Sequence, residues 1–263
     1  MRRIPLAVIA VVLAGASACG SSSAGSGPGG LSPAAAVQAA STATTQAGSA
    51  KLTLGVTSKV GPQTVVITGA GAFQLDGSVG IFNVSLDPGS GQPLTLEERI
   101  VGGRLYLKAP PLGDSYYSLA TTALVGTSLG QGTDPTVGFK LLLGAGEDVK
   151  VVGKEKVRDT QTTHYRGTYQ LRKALDQVGG SFAQAFAAQL KTSGDTPVPF
   201  DAYVDKDGRL RKLVQVVTMT NQGREITSTS TTELYDFGTA VDVTAPPADK
   251  VKDGTPLLKG LRG

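Results

Sequence analysis

The chain has 263 residues, 17% of them charged, with a formal net charge of +4. That balance gives no electrostatic case for nucleic acid as a partner. One histidine and one cysteine leave neither a set of zinc ligands nor an internal disulfide framework.

The elements are taken in chain order. Arg2 and Arg3 precede an apolar run from Ile4 to Leu13, and Ala16, Ser17 and Ala18 lead into Cys19 and Gly20. A basic start, a short apolar stretch and small residues before a cleavage point describe an export signal over residues 1–18. The run is too short to span a bilayer, which takes roughly 20 residues. Removing it takes away Arg2 and Arg3 and lowers the formal charge to +2. The residues from Ala16 to Gly20 resemble a bacterial lipobox, although Ala16 stands where a branched apolar residue is usual. The resemblance implies that Cys19 is acylated and becomes the first mature residue. Residues 19–30 then form a tether. Ser21 to Gly30 reads SSSAGSGPGG, a flexible coil reaching about 17–20 Å.

Ser32 followed by Pro33 predicts a helix start, and Gly48 its stop. From Lys51 the pattern has a period of two. Leu52, Leu54 and Val56 begin it, then Val65 to Leu75, Phe82 to Leu86, Leu94 to Ile100, and Leu105 to Leu107. Turn signals at Asp76-Gly77 and Gly102-Gly103 separate these runs, which predicts a meander of about five antiparallel strands. Tyr116, Leu119, Ala120 and Leu124 fall at helical spacing, and Asp134-Pro135 starts another short helix. Strands resume at Val149 to Val157 and Gln161 to Tyr169. An amphipathic segment then carries Leu171, Leu175, Val178, Phe182, Phe186 and Leu190, interrupted by Gly179-Gly180. Phe200 to Val204, Leu210 to Met219 and Ile226 to Tyr235 are the last strands, with a turn at Asp205–Gly208. The apolar phase slips between Leu210 and Leu213, which predicts a bulge near Lys212. Residues 246–263 read as a polar, basic tail.

The whole predicts an α+β fold with one large antiparallel sheet over residues 31–245. Val, Thr, Leu and Ala dominate, aromatics make up 5% and tryptophan is absent. Such a composition builds a sheet readily but fills its interior thinly. Gly69, Ala70, Gly71 and Ala72 stand where strands usually carry bulky residues. They either leave interior volume or permit sharp curvature.

Candidates for chemistry are few. Gly126 to Gly130 spells G-x-S-x-G, with Asp148, Asp159 and then His164 downstream, the chain order of a hydrolase triad. The expected strand before the serine and helix after it are missing, so the segment reads as a connector and His164 as a half-exposed strand residue. Asp205 and Asp207 suit a hairpin turn better than a calcium loop. Asn83-Val84-Ser85 is a glycosylation sequon only by spelling. No catalytic residue, metal site or cofactor is expected, and the chain is not read as an enzyme.

The ordered set V-G-G-R-L-Y-L-K, D-P-T-V-G-F-K-L-L-L, T-Q-T-T-H-Y-R-G-T-Y and F-D-A-Y-V-D-K-D-G-R-L-R-K, behind an acylated start, resembles actinobacterial LolA-like lipoproteins. Within them it is similar to the mycobacterial LppX/LprG group. One departure is Tyr203, where that family often has tryptophan. The resemblance implies a curved half-barrel sheet with helices on its concave face, holding a lipid or glycolipid in an apolar cavity. The side chains expected to line it are Phe73, Phe82, Leu105, Tyr116, Leu142, Leu175, Phe182 and Phe186. The implied setting is the outer face of the plasma membrane, held there by acyl chains on Cys19. The alternative is an envelope scaffold or sensor that binds a protein partner.

Overall fold

The computed structural model describes residues 30–258 apart from 90, 125–135, 181–182, 185, 187–189, 191–194 and 222–223. Helix α1 (Pro33–Thr45) starts as the sequence predicts: the Ser32 hydroxyl accepts from the Ala35 N–H at 3.3 Å, and Pro33 takes the first turn. Six strands follow: β1 (Ser49–Val60), β2 (Gln63–Gln74), β3 (Gly80–Asp87), β4 (Leu94–Val101), β5 (Arg104–Lys108) and β6 (Tyr116–Ala120). Gly102 and Gly103 both have positive φ between paired Val101 and Arg104. That is the two-residue hairpin turn that matches strand twist.

A short helix α2 (Val137–Leu141) and a 3-10 turn (Leu142–Gly144) lead into β7 (Lys150–Val157) and β8 (Thr160–Tyr169). Helix α3 (Leu171–Val178) precedes β9 (Val198–Asp205), β10 (Leu210–Asn221) and β11 (Arg224–Tyr235). A short strand β12 (Val251–Asp253) and one helical turn α4 (Thr255–Leu258) complete the described chain.

The strands form one sheet of twelve in the order β12-β6-β5-β4-β3-β2-β1-β11-β10-β9-β8-β7. It is two sequential meanders joined where β1 pairs with β11, and all pairs are antiparallel except β12 with β6. The expected architecture, a large antiparallel sheet with helices on one face, is the one observed. The face carrying Ala50, Leu52, Phe73, Leu213 and Tyr165 packs into the core with α1, α2 and α3 and is called the inner face.

The predicted bulge lies between Leu210 and Lys212. The Leu210 N–H finds a partner in the Thr44 hydroxyl of α1 at 2.8 Å, so the irregularity ties helix to sheet. Edge strand β7 presents Lys150, Lys154 and Lys156 and carries a register shift between Val151 and Gly153. Both features disfavour pairing with another chain.

Two expectations are corrected. Tyr116 to Ala120 is strand β6, followed by a 3-10 turn at Thr121–Leu124, and not a helix. Tyr116, Ser118 and Leu119 are all buried, so both faces of β6 are covered and the two-residue alternation is lost. The tail read over residues 246–263 contributes β12 to the sheet, and Leu258 is buried in the core.

Candidate functional site: a half-buried apolar sheet surface and its buried carboxyl

Register places the inner-face side chains in rows. In antiparallel pairing, residues directly opposite share a face. The first row is Ala50, Phe73, Gly80, Ile100, Leu105 and Leu119. The next is Leu52, Gly71, Phe82, Glu98 and Leu107. Beyond it lie Leu54, Gly69, Val84 and Leu96, then Val56, Ile67, Leu86 and Leu94. The first two rows are largely buried and belong to the core. The last two are only half-buried, yet they keep alternating with polar outer residues such as Thr53, Thr57, Thr68, Asn83, Ser85 and Thr95. A strand half with apolar residues on one face and polar ones on the other is built for something to cover the apolar face.

The packed end is filled by aromatic rings over glycines. The Phe82 ring lies against Gly69 and Gly71, and the Phe73 ring against Gly80. The two rings meet at 5.6 Å between centroids with a 57° tilt. The glycines thus make room for rings, and that part of the interior is occupied.

Phe73, Phe82, Leu105, Leu142, Leu175 and Phe186 all fall in the one apolar core. Leu142 comes from the 3-10 turn and Leu175 from α3, both on the helical layer above the sheet. Tyr116 is a correction: it faces the opposite side. Its hydroxyl donates to Glu97 at 2.7 Å and accepts from Arg99 at 2.9 Å, and the Arg99 guanidinium lies 5.1 Å from its ring centre. Leu119 and Tyr117 stand opposite inward-facing Leu105 and Leu107, so their chain neighbour Tyr116 falls on the outer face. Phe182 and Cys19 lie outside the described residues.

Glu98 went unnoticed in the sequence. It is 9% exposed, and its direct cross-strand neighbours are Phe82 and Leu107. Burial pushes its carboxyl up to about 7 from an ordinary 4.5. The signal was present: Leu94, Leu96 and Ile100 share a face, and Glu98 is the member of that series that is not apolar. Tyr165 is also fully buried on the inner face, with no hydrogen-bond partner for its hydroxyl among the described residues. Burial raises the pKa of Tyr165, and of Tyr169, whose hydroxyl accepts from Gln215 at 3.2 Å.

His164 is corrected from half-exposed to 3% exposed. Its Nδ1 faces Glu155 at 2.8 Å and its Nε2 faces Asp201 at 2.5 Å, while the ring stacks on Tyr203 at 4.3 Å. Arg166 also donates to Asp201 at 2.7 Å. Both ring nitrogens are engaged in a cross-strand network on the outer face. Ser128 lies outside the described residues. Asp205 accepts from the N–H groups of Asp207 and Arg209 at 2.9 Å each and from the Arg211 guanidinium at 2.7 Å. Its oxygens serve the hairpin turn. Among the described residues no group of three or more His, Cys, Asp or Glu could hold a metal ion.

An open trough of about 1030 Å³ lies over β2 to β5, lined mainly by outward-facing Thr68, Asn83, Ser85, Thr95, Glu97 and Lys108. Ala70, Val84, Leu96 and Pro110 also line it, so polar and apolar surface are mixed there. Among the described residues no helix is long and apolar enough to cross a membrane.

Comparison with known proteins agrees with this architecture. The crystal structure of lipoprotein LppX of Mycobacterium tuberculosis superposes with a TM-score of 0.50 at 14% identity, covering 81% of this chain and 98% of that one. That of LprF from Mycobacterium bovis gives a TM-score of 0.49 at 14% identity, over 82% and 97% of the two chains. An uncharacterised 31.2 kDa protein of Streptomyces griseus is 34% identical over 134 residues, which is 49% of this chain and 42% of that protein's length. The likeness to LppX shows the fold: an open, mostly antiparallel sheet with a few helices on one face. The profile of the family described as LppX_LprAFG lipoprotein matches residues 32–243, from the cap of α1 past the end of β11, and the chain belongs to that family.

Proposed function

We propose that this protein is a membrane-anchored envelope lipoprotein that binds the acyl chains of a lipid or glycolipid on the inner face of its sheet. The observation that carries the reading is the pair of half-buried apolar rows, Leu54–Val84–Leu96 and Val56–Ile67–Leu86, beyond the packed core. Each methylene moved from water onto such a surface contributes about 0.8 kcal/mol, so one long acyl chain suffices for tight retention. Anchoring is assigned to Cys19, with the tether holding the domain near the outer face of the plasma membrane. No covalent step is part of this reading.

Native mass spectrometry of non-acylated protein, purified from a lipid-rich host, tests it. Co-purified acyl species are expected. A ligand-free mass, unchanged after incubation with phospholipid vesicles, would instead favour a scaffold that binds a protein partner.

A further inference from the structure

Glu98 sits at the boundary between the packed core and the two open rows. Phe82 and Leu107 stand directly across from it, and Leu96 and Ile100 flank it along β4 on the same face. Its charged chain neighbours, Glu97 and Arg99, point to the outer face, bonded to each other and to Tyr116. Among the described residues Glu98 makes no hydrogen bond or ion pair. The fully enclosed unpartnered atoms among the described residues are Tyr165 Oη and Arg209 Nε, so the Glu98 carboxyl, set in an apolar frame, keeps an opening through which a partner from outside the fold can reach it.

We infer that Glu98 is the recognition group for a hydroxyl of a neutral acyl lipid whose chains lie on the open rows. The inference rests on the lipid-binding reading above. A hydroxyl both donates and accepts, so it satisfies a carboxyl in either protonation state. A phosphate or free carboxylate would have to give up its water in an apolar frame where, among the described residues, no basic side chain stands beside Glu98 on its face. An ammonium group would have to be stripped of water in an apolar frame, which favours neutral partners. Burial holds the carboxyl largely neutral up to about pH 7, in keeping with a neutral partner. The ligand class is therefore an acylglycerol or glycolipid with a free hydroxyl next to its acyl linkage.

The test uses the full chain and displacement of anilinonaphthalene sulfonate. Monopalmitoylglycerol and methyl palmitate carry the same acyl chain and differ in hydroxyls. Wild type should bind monopalmitoylglycerol about tenfold more tightly, the worth of one hydrogen bond to a buried partner. Glu98→Leu should bind both equally, with the affinity for methyl palmitate retained. Equal preference in wild type and Glu98→Leu overturns the role of Glu98 and leaves lipid binding standing. Displacement by neither lipid overturns both. Glu98→Gln has the shape of the native side chain and keeps a donor and an acceptor, so it guards against a misfolded leucine variant. It should preserve the preference for monopalmitoylglycerol and, at pH 8, bind palmitate more tightly than wild type does. Palmitate binding at pH 8 unchanged by Glu98→Gln counts against a carboxyl facing the ligand.

Discussion

The Phe82 ring takes the place that a side chain on Gly69 would need. A methyl group added there would lie 2.5 Å from Phe82 Cζ. Gly71 is tighter still, because its added methyl would strike the Ile81 carbonyl oxygen of the neighbouring strand as well as the ring. Gly71→Ala is therefore expected to destabilise by about 2–3 kcal/mol, and Gly69→Ala by less, since a ring can shift where backbone cannot. Phe82→Ala should cost about 3–5 kcal/mol through the cavity it leaves. Gly55, in the middle of β1, meets nothing within 4 Å. Gly55→Ala is the control and should be neutral or slightly stabilising. Urea melts of the four variants check the ranking; equal effects at Gly55 and Gly71 would refute it.

Glu98 makes stability depend on pH. Its folded-state pKa, about 7, lies above the ordinary 4.5. Below pH 4.5 the carboxyl is protonated whether the chain is folded or not, and there is no penalty. As pH rises from 4.5 to 7 the unfolded chain releases this proton first, which favours unfolding. Above pH 7 the penalty levels off at roughly 3 kcal/mol. Glu98→Gln should thus raise the melting temperature at pH 8 and leave it nearly unchanged at pH 4. A stability difference between variant and wild type that does not vary with pH excludes this account.

The strands and their turns were legible because period-two patterning and turn glycines are local. Even the bulge near Lys212 announced itself as a slip of apolar phase. The same code failed at Tyr116 to Ala120, where Tyr116, Leu119 and Ala120 imitate helical spacing inside a strand buried on both faces. Tyr116 was then counted among lining residues, although its hydroxyl belongs to Glu97 and Arg99. The pairing of β12 with β6 joins segments far apart in sequence, and no local pattern encodes it. Glu98 was hidden for another reason: a glutamate in a strand suggests a solvent-facing position, and only its place in the series of Leu94, Leu96 and Ile100 contradicts that.

Gly179 and Gly180, which interrupt the amphipathic segment, form either a mobile joint within one helix or a fixed bend. Helix α3 stops at Val178, and the two glycines have φ of 63° and 59°. The Gly179 N–H closes the helix on Leu175 O at 2.8 Å. Gly179 has ψ of −163°, a positive-φ conformation essentially confined to glycine, where alanine costs about 1–3 kcal/mol. The double change Gly179→Ala/Gly180→Ala is expected to lower the melting temperature, as the bend requires. A higher melting temperature would show that the two helical segments join into one without strain.

Anchoring has a separate test. Cys19→Ser removes the proposed acylation site and should release the protein into the medium or leave an unprocessed precursor. Fractionation of cells with an antibody against the folded domain reads this directly. A mutant that is fully processed and still membrane-bound would disprove lipidation at Cys19.

The seam between β1 and β11 has a consequence for how the protein is made. Lys51 is opposite Tyr235 and Val60 opposite Ile226, so the first strand to leave the export channel meets its second partner among the last. Until then β1 has one side of its ladder unpaired, next to a growing meander whose hairpins are all local. Folding of the first half can proceed during export, but closure across the seam waits for almost the whole chain. In that interval the open edge of β1 is the place where a periplasmic-type chaperone, or an unwanted second copy, would engage.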